Sequence, residues 1–119
     1  MAWSFSSDKA VYLQVMEEIK LRIISGFYPS GTKIPSVRDL AEEARVNPNT
    51  MQKALSELER EEMIFSQRTT GKFVTYDTDK IIAVRNAMAK GHIEEFIEKM
   101  RKLGFNKEET LKMLSEGKK

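Results

Sequence analysis

The stretch that decides the fold is PSVRDLAEEARVNPNTMQKALSELEREEMI, residues 35–64. It contains two short amphipathic patterns separated by Arg45-Val46-Asn47, and the second pattern begins with a capping asparagine and a proline at the first helical position. Two strand-like runs follow. A helix, a tight turn, a second helix and a hairpin in this order predict a winged helix-turn-helix, a mainly α fold with a small β-hairpin.

Both helices of this stretch have start signals and one apolar face. Ser36 is the expected cap of the first helix, because Asp39 completes a capping-box pattern and Pro35 keeps the preceding chain extended. The second helix is predicted over about residues 47–61 with Asn47 as its cap. The side chains expected to be buried are Val37, Leu40, Ala41 and Ala44 in the first helix and Met51, Ala54, Leu55 and Leu58 in the second.

The strand-like runs are residues 64–67 and 72–75, joined by residues 68–71. We interpret this hairpin as the wing. Phe65 and Phe73 lie on its strands, and aromatic side chains there are more often buried than used to stack on nucleic-acid bases. The pattern therefore gives little support to single-strand binding.

Helical patterns flank this core on both sides. The N-terminal pattern covers about residues 10–25 and ends at Gly26. A longer pattern, about residues 78–103, follows the hairpin and keeps one apolar phase across Gly91, which predicts a single helix. Its apolar stripe contains Ile82, Ala89, Ile93, Phe96, Met100 and Leu103.

The chain is expected to divide into a winged helix-turn-helix domain, residues 1–76, and a helical region, residues 77–119. Asn106 with Glu109 is the expected cap of a last short helix. A long helix projecting from so small a domain has too little of its own protein against which to bury its stripe. The same helix of a second subunit is the expected cover, which predicts a homodimer.

Composition excludes several classes of protein. The chain has 119 residues and no cysteine, which rules out disulfides and thiolate chemistry and fits the cytoplasm. No apolar run reaches the roughly 18 residues needed to span a bilayer, so no membrane partner is expected. Residues 10–76 contain nine basic and nine acidic residues, so bulk positive charge is no argument for nucleic-acid binding.

The sequence also lacks catalytic and cofactor motifs. It has no phosphate-binding glycine loop, dinucleotide fingerprint, metal-ligand cluster or nucleophile elbow, and His92, the only histidine, has no partner pattern. Neither an enzyme nor a cofactor or metal site is predicted. No small-molecule effector is identified, and a site for one is expected to be shallow or shared between two subunits.

Several segments of the first two thirds of the chain follow a known order. They are Tyr12-Leu13-Gln14-Val15, Gly26, Pro29-x-Gly31, Ile34-Pro35-Ser36-Val37-Arg38-Asp39-Leu40-Ala41, Val46-Asn47-Pro48-Asn49-Thr50, Leu55-x-x-Leu58-Glu59 and Gly71-x-Phe73-Val74. Together they closely resemble the DNA-binding domain of the GntR family of bacterial transcription regulators. The short helical end is similar to that of the YtrA subfamily, where it serves dimerisation. The resemblance implies a homodimer that binds an inverted repeat in double-stranded DNA, often as a repressor of a transporter operon.

The resemblance also implies which residues contact DNA. A guanidinium at Arg38 binds a guanine edge or a phosphate, and Gln52 and Lys53 are expected to set sequence preference. Polar groups at the start of the second helix suit phosphates and base edges, and the wing tip enters the minor groove. The expected DNA-binding residues are Ser36, Arg38, Arg45, Asn47, Asn49, Thr50, Gln52, Lys53, Arg68, Thr69, Gly71 and Lys72.

Three positions depart from the family pattern, which usually has glycine there. They are Arg45 in the turn, Glu62 after the second helix and Thr69 in the wing. Each is expected to require a less favoured backbone conformation. Arg45 also offers a phosphate contact that relatives lack.

Alternatives remain open at this level. Arg38 pairs with Asp39 or another nearby carboxylate instead of DNA, or the basic residues of the wing, Arg68 and Lys72, are simply solvated. A near-neutral winged helix also suits a protein-contact module, with the acidic half of the second helix or the terminal helices as its surface.

Overall fold

The computed structural model of the chain describes residues 3–117. Its elements are α1 Val11–Ile24, α2 Val37–Ala44, α3 Pro48–Arg60, β1 Ile64–Gln67, β2 Gly71–Val74, α4 Thr78–Lys102 and α5 Lys107–Gly117. The predicted winged helix-turn-helix, mainly helical with one hairpin, is confirmed. The second strand lies one residue earlier than predicted, because Gly71 pairs with Gln67 and Thr75 falls outside the strand.

Helix starts follow the capping signals of the sequence. The Ser36 hydroxyl accepts a hydrogen bond from the N–H of Asp39 at 3.1 Å, and the Asn47 side chain caps α3 at 2.7 Å. Asn106 and Glu109 form a complete two-way capping box before α5, with distances of 2.8 and 3.0 Å. At Ser36 only half of the expected box forms, since residues 3–117 contain no return bond from its N–H to Asp39.

Helices α1, α2 and α3 pack around one apolar core. Its buried side chains include Val15, Ile19, Ile23, Ile34, Leu40, Ala41, Ala44, Met51, Ala54, Leu55, Leu58, Met63, Ile64 and Val74. Each large aliphatic side chain buried in this way stabilises the fold by roughly 1.5–3 kcal/mol relative to exposure. The prediction that Val37 is buried was wrong: as the first residue of α2, it is only half-buried.

The hairpin is fastened to the segment that precedes α2. Strand β2 pairs antiparallel with β1 and also forms three backbone hydrogen bonds of 2.9–3.0 Å with residues 31–34. The rings of Phe65 and Phe73 stack with their centroids 5.7 Å apart, and both are half-buried. These rings hold the two strands together from the edge of the core.

Two compact units make up the chain, the first ending at Ile82 and the second beginning at Ala83. Helix α4 continues through Gly91 as one helix, as predicted. None of its residues is buried, and Thr110 is the only buried residue of α5. In the described residues the second unit therefore has no apolar core of its own. Residues 3–117 contain no helix long and apolar enough to cross a membrane.

Candidate nucleic-acid interface

Within residues 3–117, three non-glycine residues adopt a left-handed backbone: Arg45 with φ 58°, Glu62 with φ 64° and Thr69 with φ 67°. They are the three positions at which the resemblance leads one to expect glycine, so the predicted backbone conformation is confirmed at each. At Arg45 this conformation ends α2, and the Arg45 N–H donates to the Glu42 carbonyl at 3.3 Å. The turn that glycine usually makes is therefore formed by a residue with a long cationic side chain.

Arg38 and Arg45 are exposed and line one crevice of about 440 Å³ beside the start of α3. The remaining walls are Ala41, Glu42, Val46 and Pro48. Within residues 3–117 neither guanidinium has a hydrogen bond or an ion pair. The alternative in which Arg38 pairs with Asp39 is thus not what the structure contains.

The first turn of α3 presents polar groups. Asn47 and Asn49 are exposed and Thr50 is half-buried. The Asn47 side-chain oxygen is occupied by its bond to the Asn49 N–H. Asn47 therefore has a structural role whether or not it contacts DNA.

Gln52 and Lys53 are exposed on α3, and both have contacts within the protein. The Gln52 amide donates to the Ser56 hydroxyl at 3.0 Å. The Lys53 ammonium lies 4.0 Å from the ring centroid of Tyr12 on α1, a cation–π distance. Each contact is weak enough to be exchanged for a base or a phosphate.

The wing differs between its tip and its base. Arg68, Thr69 and Gly71 at the tip are exposed, whereas Lys72 is half-buried and bonds to Glu59 of α3 at 3.0 Å. The Ser66 hydroxyl accepts a hydrogen bond from Lys72 at 2.9 Å and completes this contact. The wing residues are thus joined to the far end of α3, while Arg38 and Arg45 gather beside its start.

Ion pairs neutralise most of the acidic end of α3. Glu57 pairs with Arg60 and Glu59 with Lys72. Glu61, just after the helix, pairs with Lys20 at 2.9 Å. The repulsion that these carboxylates would exert on a nearby phosphate is therefore reduced.

Sequence reasoning missed the role of Arg22, which lies in α1 and was not among the residues predicted to be buried or functional. It is 1% exposed, and its guanidinium contacts Glu18 at 3.1 Å, Glu43 at 2.7 Å and the Tyr28 hydroxyl at 2.8 Å. The Trp3 ring lies over the guanidinium, 4.5 Å from centroid to Cζ. A glutamate four residues before the arginine was the available signal.

These contacts shift several pKa values. Burial lowers the pKa of Arg22, but the hydrogen bonds that it donates to Glu43, Tyr28 and Glu18 outweigh burial, and the net shift of its pKa is upward. Burial raises the pKa of Tyr28 above its usual range. Burial also raises the pKa of Glu43, yet its bonds with Trp3 and Arg22 lower it by more, leaving a net decrease. The cluster ties α1 to α2, the helix that carries Arg38.

The stripe of α4 is largely open to solvent. Ile82, Ile93 and Leu103 are 44%, 60% and 72% exposed. Ala89 and Phe96 are also exposed, and Met100 is half-buried. These are the residues that the sequence pattern assigned to dimerisation.

Similarity to known proteins agrees with this geometry. A family profile described as "Bacterial regulatory proteins, gntR family" matches residues 11–74, just over half of the chain. The HTH-type transcriptional regulator YhcF of Bacillus subtilis is 35% identical over 107 residues, which are 90% of this chain and 88% of that protein. The HTH-type transcriptional repressor YtrA of the same organism is 33% identical over 76% of this chain and 71% of its own length.

Solved structures of related regulators have the same fold. A GntR family transcriptional regulator from Listeria monocytogenes superposes with a TM-score of 0.87 and 41% identity, covering 94% of this chain and 98% of that one. The DNA-binding domain of AraR in complex with operator ORX1 superposes with a TM-score of 0.55 and 27% identity, covering 63% of this chain and 99% of that one.

Proposed function

Because the chain belongs to the GntR family of bacterial transcription regulators and is of the YtrA-like type, we propose that it is a homodimeric repressor of an inverted-repeat operator. The family consists of DNA-binding regulators and not of enzymes. The observation that carries the proposal is that one chain combines unengaged arginines beside α3 with an uncovered apolar stripe on α4. The first feature suits DNA and the second suits another copy of the chain.

The start of α3 enters the major groove in this proposal. Asn49, Thr50 and the amide of Gln52 contact base edges or phosphates there, and Lys53 leaves the Tyr12 ring for a guanine or a phosphate. Ser36, Arg38, Arg45 and Asn47 bind the backbone and fix the orientation of the helix. This division of roles separates affinity from sequence preference.

The wing lies in the adjacent minor groove. Arg68 and Thr69 at its exposed tip reach the groove, and Gly71 allows the backbone to approach closely. Lys72 contributes after exchanging Glu59 for a phosphate. The AraR domain solved with its operator supports DNA binding by this fold.

Helix α4 supplies the dimer. Its apolar stripe, together with Leu103 just after the helix, is largely exposed, and a second copy of the same stripe is self-complementary about a two-fold axis. Residues 1–76 then form the DNA-binding domain and residues 77–119 the dimerisation region. Two-fold symmetry in the protein requires an inverted repeat in the DNA.

We propose that the protein acts in the cytoplasm on a transporter operon, as the resemblance to the YtrA subfamily implies; its similarity to the repressor YtrA supports this proposal. An effector, where one acts, binds a shallow site or one shared between subunits. A shared effector site would follow from the proposed dimer.

The experiment is a binding measurement on the intact protein. Promoter DNA from upstream of the gene is searched for an inverted repeat, and fluorescence anisotropy compares a duplex containing that repeat with a scrambled duplex and a half-site, across a series of salt concentrations. We expect at least about 10³-fold preference for the inverted repeat, a steep salt dependence and two chains per duplex.

Two substitutions test whether the expected residues contact the DNA. Arg38→Ala and Lys53→Ala are expected to weaken binding while circular dichroism shows an intact fold. Equal affinity for all duplexes, or full retention by both variants, contradicts the repressor and favours a protein-contact module.

A further inference from the structure

We propose that Arg38 and Arg45 hold one phosphate of the DNA backbone between them, in the crevice beside the turn of the helix-turn-helix. The inference rests on the proposed DNA binding and names the chemical group that this part of the surface takes, a single phosphodiester. Arg45 is the unusual member, since it occupies a position where the family pattern has glycine.

The crevice has the shape and the donors for such a group. Its volume of about 440 Å³ accommodates a phosphate, and Arg38 and Arg45 both line it. A guanidinium presents its N–H donors as a planar fork that matches two phosphate oxygens. Within residues 3–117 no side chain is hydrogen-bonded or ion-paired with either guanidinium. Phosphate binding therefore does not require an internal ion pair to be broken.

The surrounding charges leave the crevice positive. Glu42 is the one carboxylate among its lining residues, and no ion pair of 4 Å or less joins it to either arginine in the described part of the chain. Glu43, the next residue, is held by Arg22 and Trp3. Two cations therefore face one unpaired carboxylate, and Glu42 is expected to oppose phosphate binding.

The backbone of Arg45 makes the proposal testable, because it separates stability from affinity. With φ at 58°, an arginine is strained where glycine is not. Replacing Arg45 with glycine should stabilise the fold and weaken DNA binding at the same time. Glu62, with φ 64°, provides the matched control, because its replacement with glycine removes similar strain outside the crevice.

The experiment measures thermal stability and operator affinity, at several salt concentrations, for Arg45→Gly, Arg45→Ala, Glu62→Gly and Arg60→Gln in the full chain. Arg45→Gly and Arg45→Ala are expected to lose about tenfold or more in affinity, with the salt slope smaller by about one. Only the glycine variant of Arg45 should also melt at a higher temperature. Glu62→Gly should raise the melting temperature without weakening binding.

Arg60→Gln controls for net charge, because it removes one cation at the other end of α3 and should leave the salt slope unchanged. Wild-type affinity in Arg45→Gly overturns the phosphate site while leaving the proposed function standing. Absence of operator binding by the wild-type protein, by contrast, overturns the proposed function itself.

A double variant tests whether Arg38 and Arg45 share one phosphate. If both arginines hold the same group, Arg38→Ala and Arg45→Ala together lose less affinity than the product of the separate losses. A set of duplexes, each with one phosphate replaced by a neutral methylphosphonate, should contain one linkage that weakens the wild type strongly and weakens each single variant by a smaller factor. Multiplicative losses, or different critical linkages for the two variants, contradict a shared site.

Discussion

The Lys72 ammonium lies 3.0 Å from Oε1 of Glu59, so an ion pair joins the wing to the last turns of α3. Ser66 donates to the same oxygen at 3.0 Å and accepts from Lys72 at 2.9 Å. Burial raises the pKa of Glu59, but the bonds from Lys72 and Ser66 lower it by more, and the net pKa is below its usual range. Any DNA phosphate that binds Lys72 must compete with this carboxylate.

Removing the charge of Glu59 should therefore release Lys72 for DNA. We expect Glu59→Gln to tighten operator binding by about two- to fivefold and to reduce stability by at most about 1 kcal/mol, because the ion pair is only partly buried. Anisotropy and chemical denaturation measure the two effects. Glu57→Gln, which removes the neighbouring pair with Arg60, is the matched control. Weaker binding by Glu59→Gln alone would mean that the ion pair positions the wing instead of competing with DNA.

Glycine at the other left-handed positions should stabilise the protein. The left-handed region costs an L residue roughly 1–2 kcal/mol, and the greater backbone entropy of unfolded glycine offsets part of the gain. We expect Thr69→Gly and Glu62→Gly each to raise the free energy of unfolding by about 0.5–1 kcal/mol. Glu17→Gly, in the interior of α1, should instead lower it by about 1 kcal/mol. Thermal melts of the three variants decide whether the strain inferred from φ is real.

Arg22 should be among the most sensitive residues of the first unit. Arg22→Ala leaves the Tyr28 hydroxyl and two carboxylates without their shared partner and removes the support beneath Trp3. Loss of one partner from a buried pair costs about 3–5 kcal/mol, and we expect the lower end because Glu43 stays partly solvated. Urea titration monitored by Trp3, the only tryptophan, measures the loss. A change below about 1 kcal/mol would contradict the structural role.

The same cluster predicts how stability depends on pH. Since the folded pKa of Glu43 is below its unfolded value, its contribution is complete above the unfolded pKa and is lost as pH falls through the folded pKa. Stability of the wild type should thus fall between about pH 5 and pH 3. Glu43→Gln keeps a hydrogen-bond acceptor without the titrating charge, so the slope in this window should be smaller. An unchanged slope would assign the acid sensitivity to other carboxylates.

The sequence predicts the structural features that neighbouring residues determine, and it does not predict those that depend on contacts between distant elements. Caps and helix periods follow from neighbouring residues, whereas the unfavourable backbone at Arg45 was implied by the family resemblance; these predictions agree with the structure. The burial of Arg22 and the bond between Lys72 and Glu59 depend on tertiary contacts between elements. An arginine in an amphipathic helix is normally solvated, so the burial of Arg22 becomes evident only when Glu43 of the neighbouring helix is placed against it.

The stripe of α4 gives the prediction that separates dimerisation from DNA contact. Phe96→Asp places a charge in the middle of the proposed two-fold interface, where its burial would be costly. Sedimentation equilibrium should show a dimer for the wild type and a monomer for this variant. Half-site affinity should change little, whereas affinity for the full inverted repeat should fall by about 10²-fold or more, because the second contact is no longer intramolecular.

Leu21→Asp, at an exposed apolar residue of α1, controls for the added charge and should remain dimeric. A dimeric Phe96→Asp would place the interface elsewhere, and a monomeric variant with undiminished operator affinity would show that the two half-sites are bound independently.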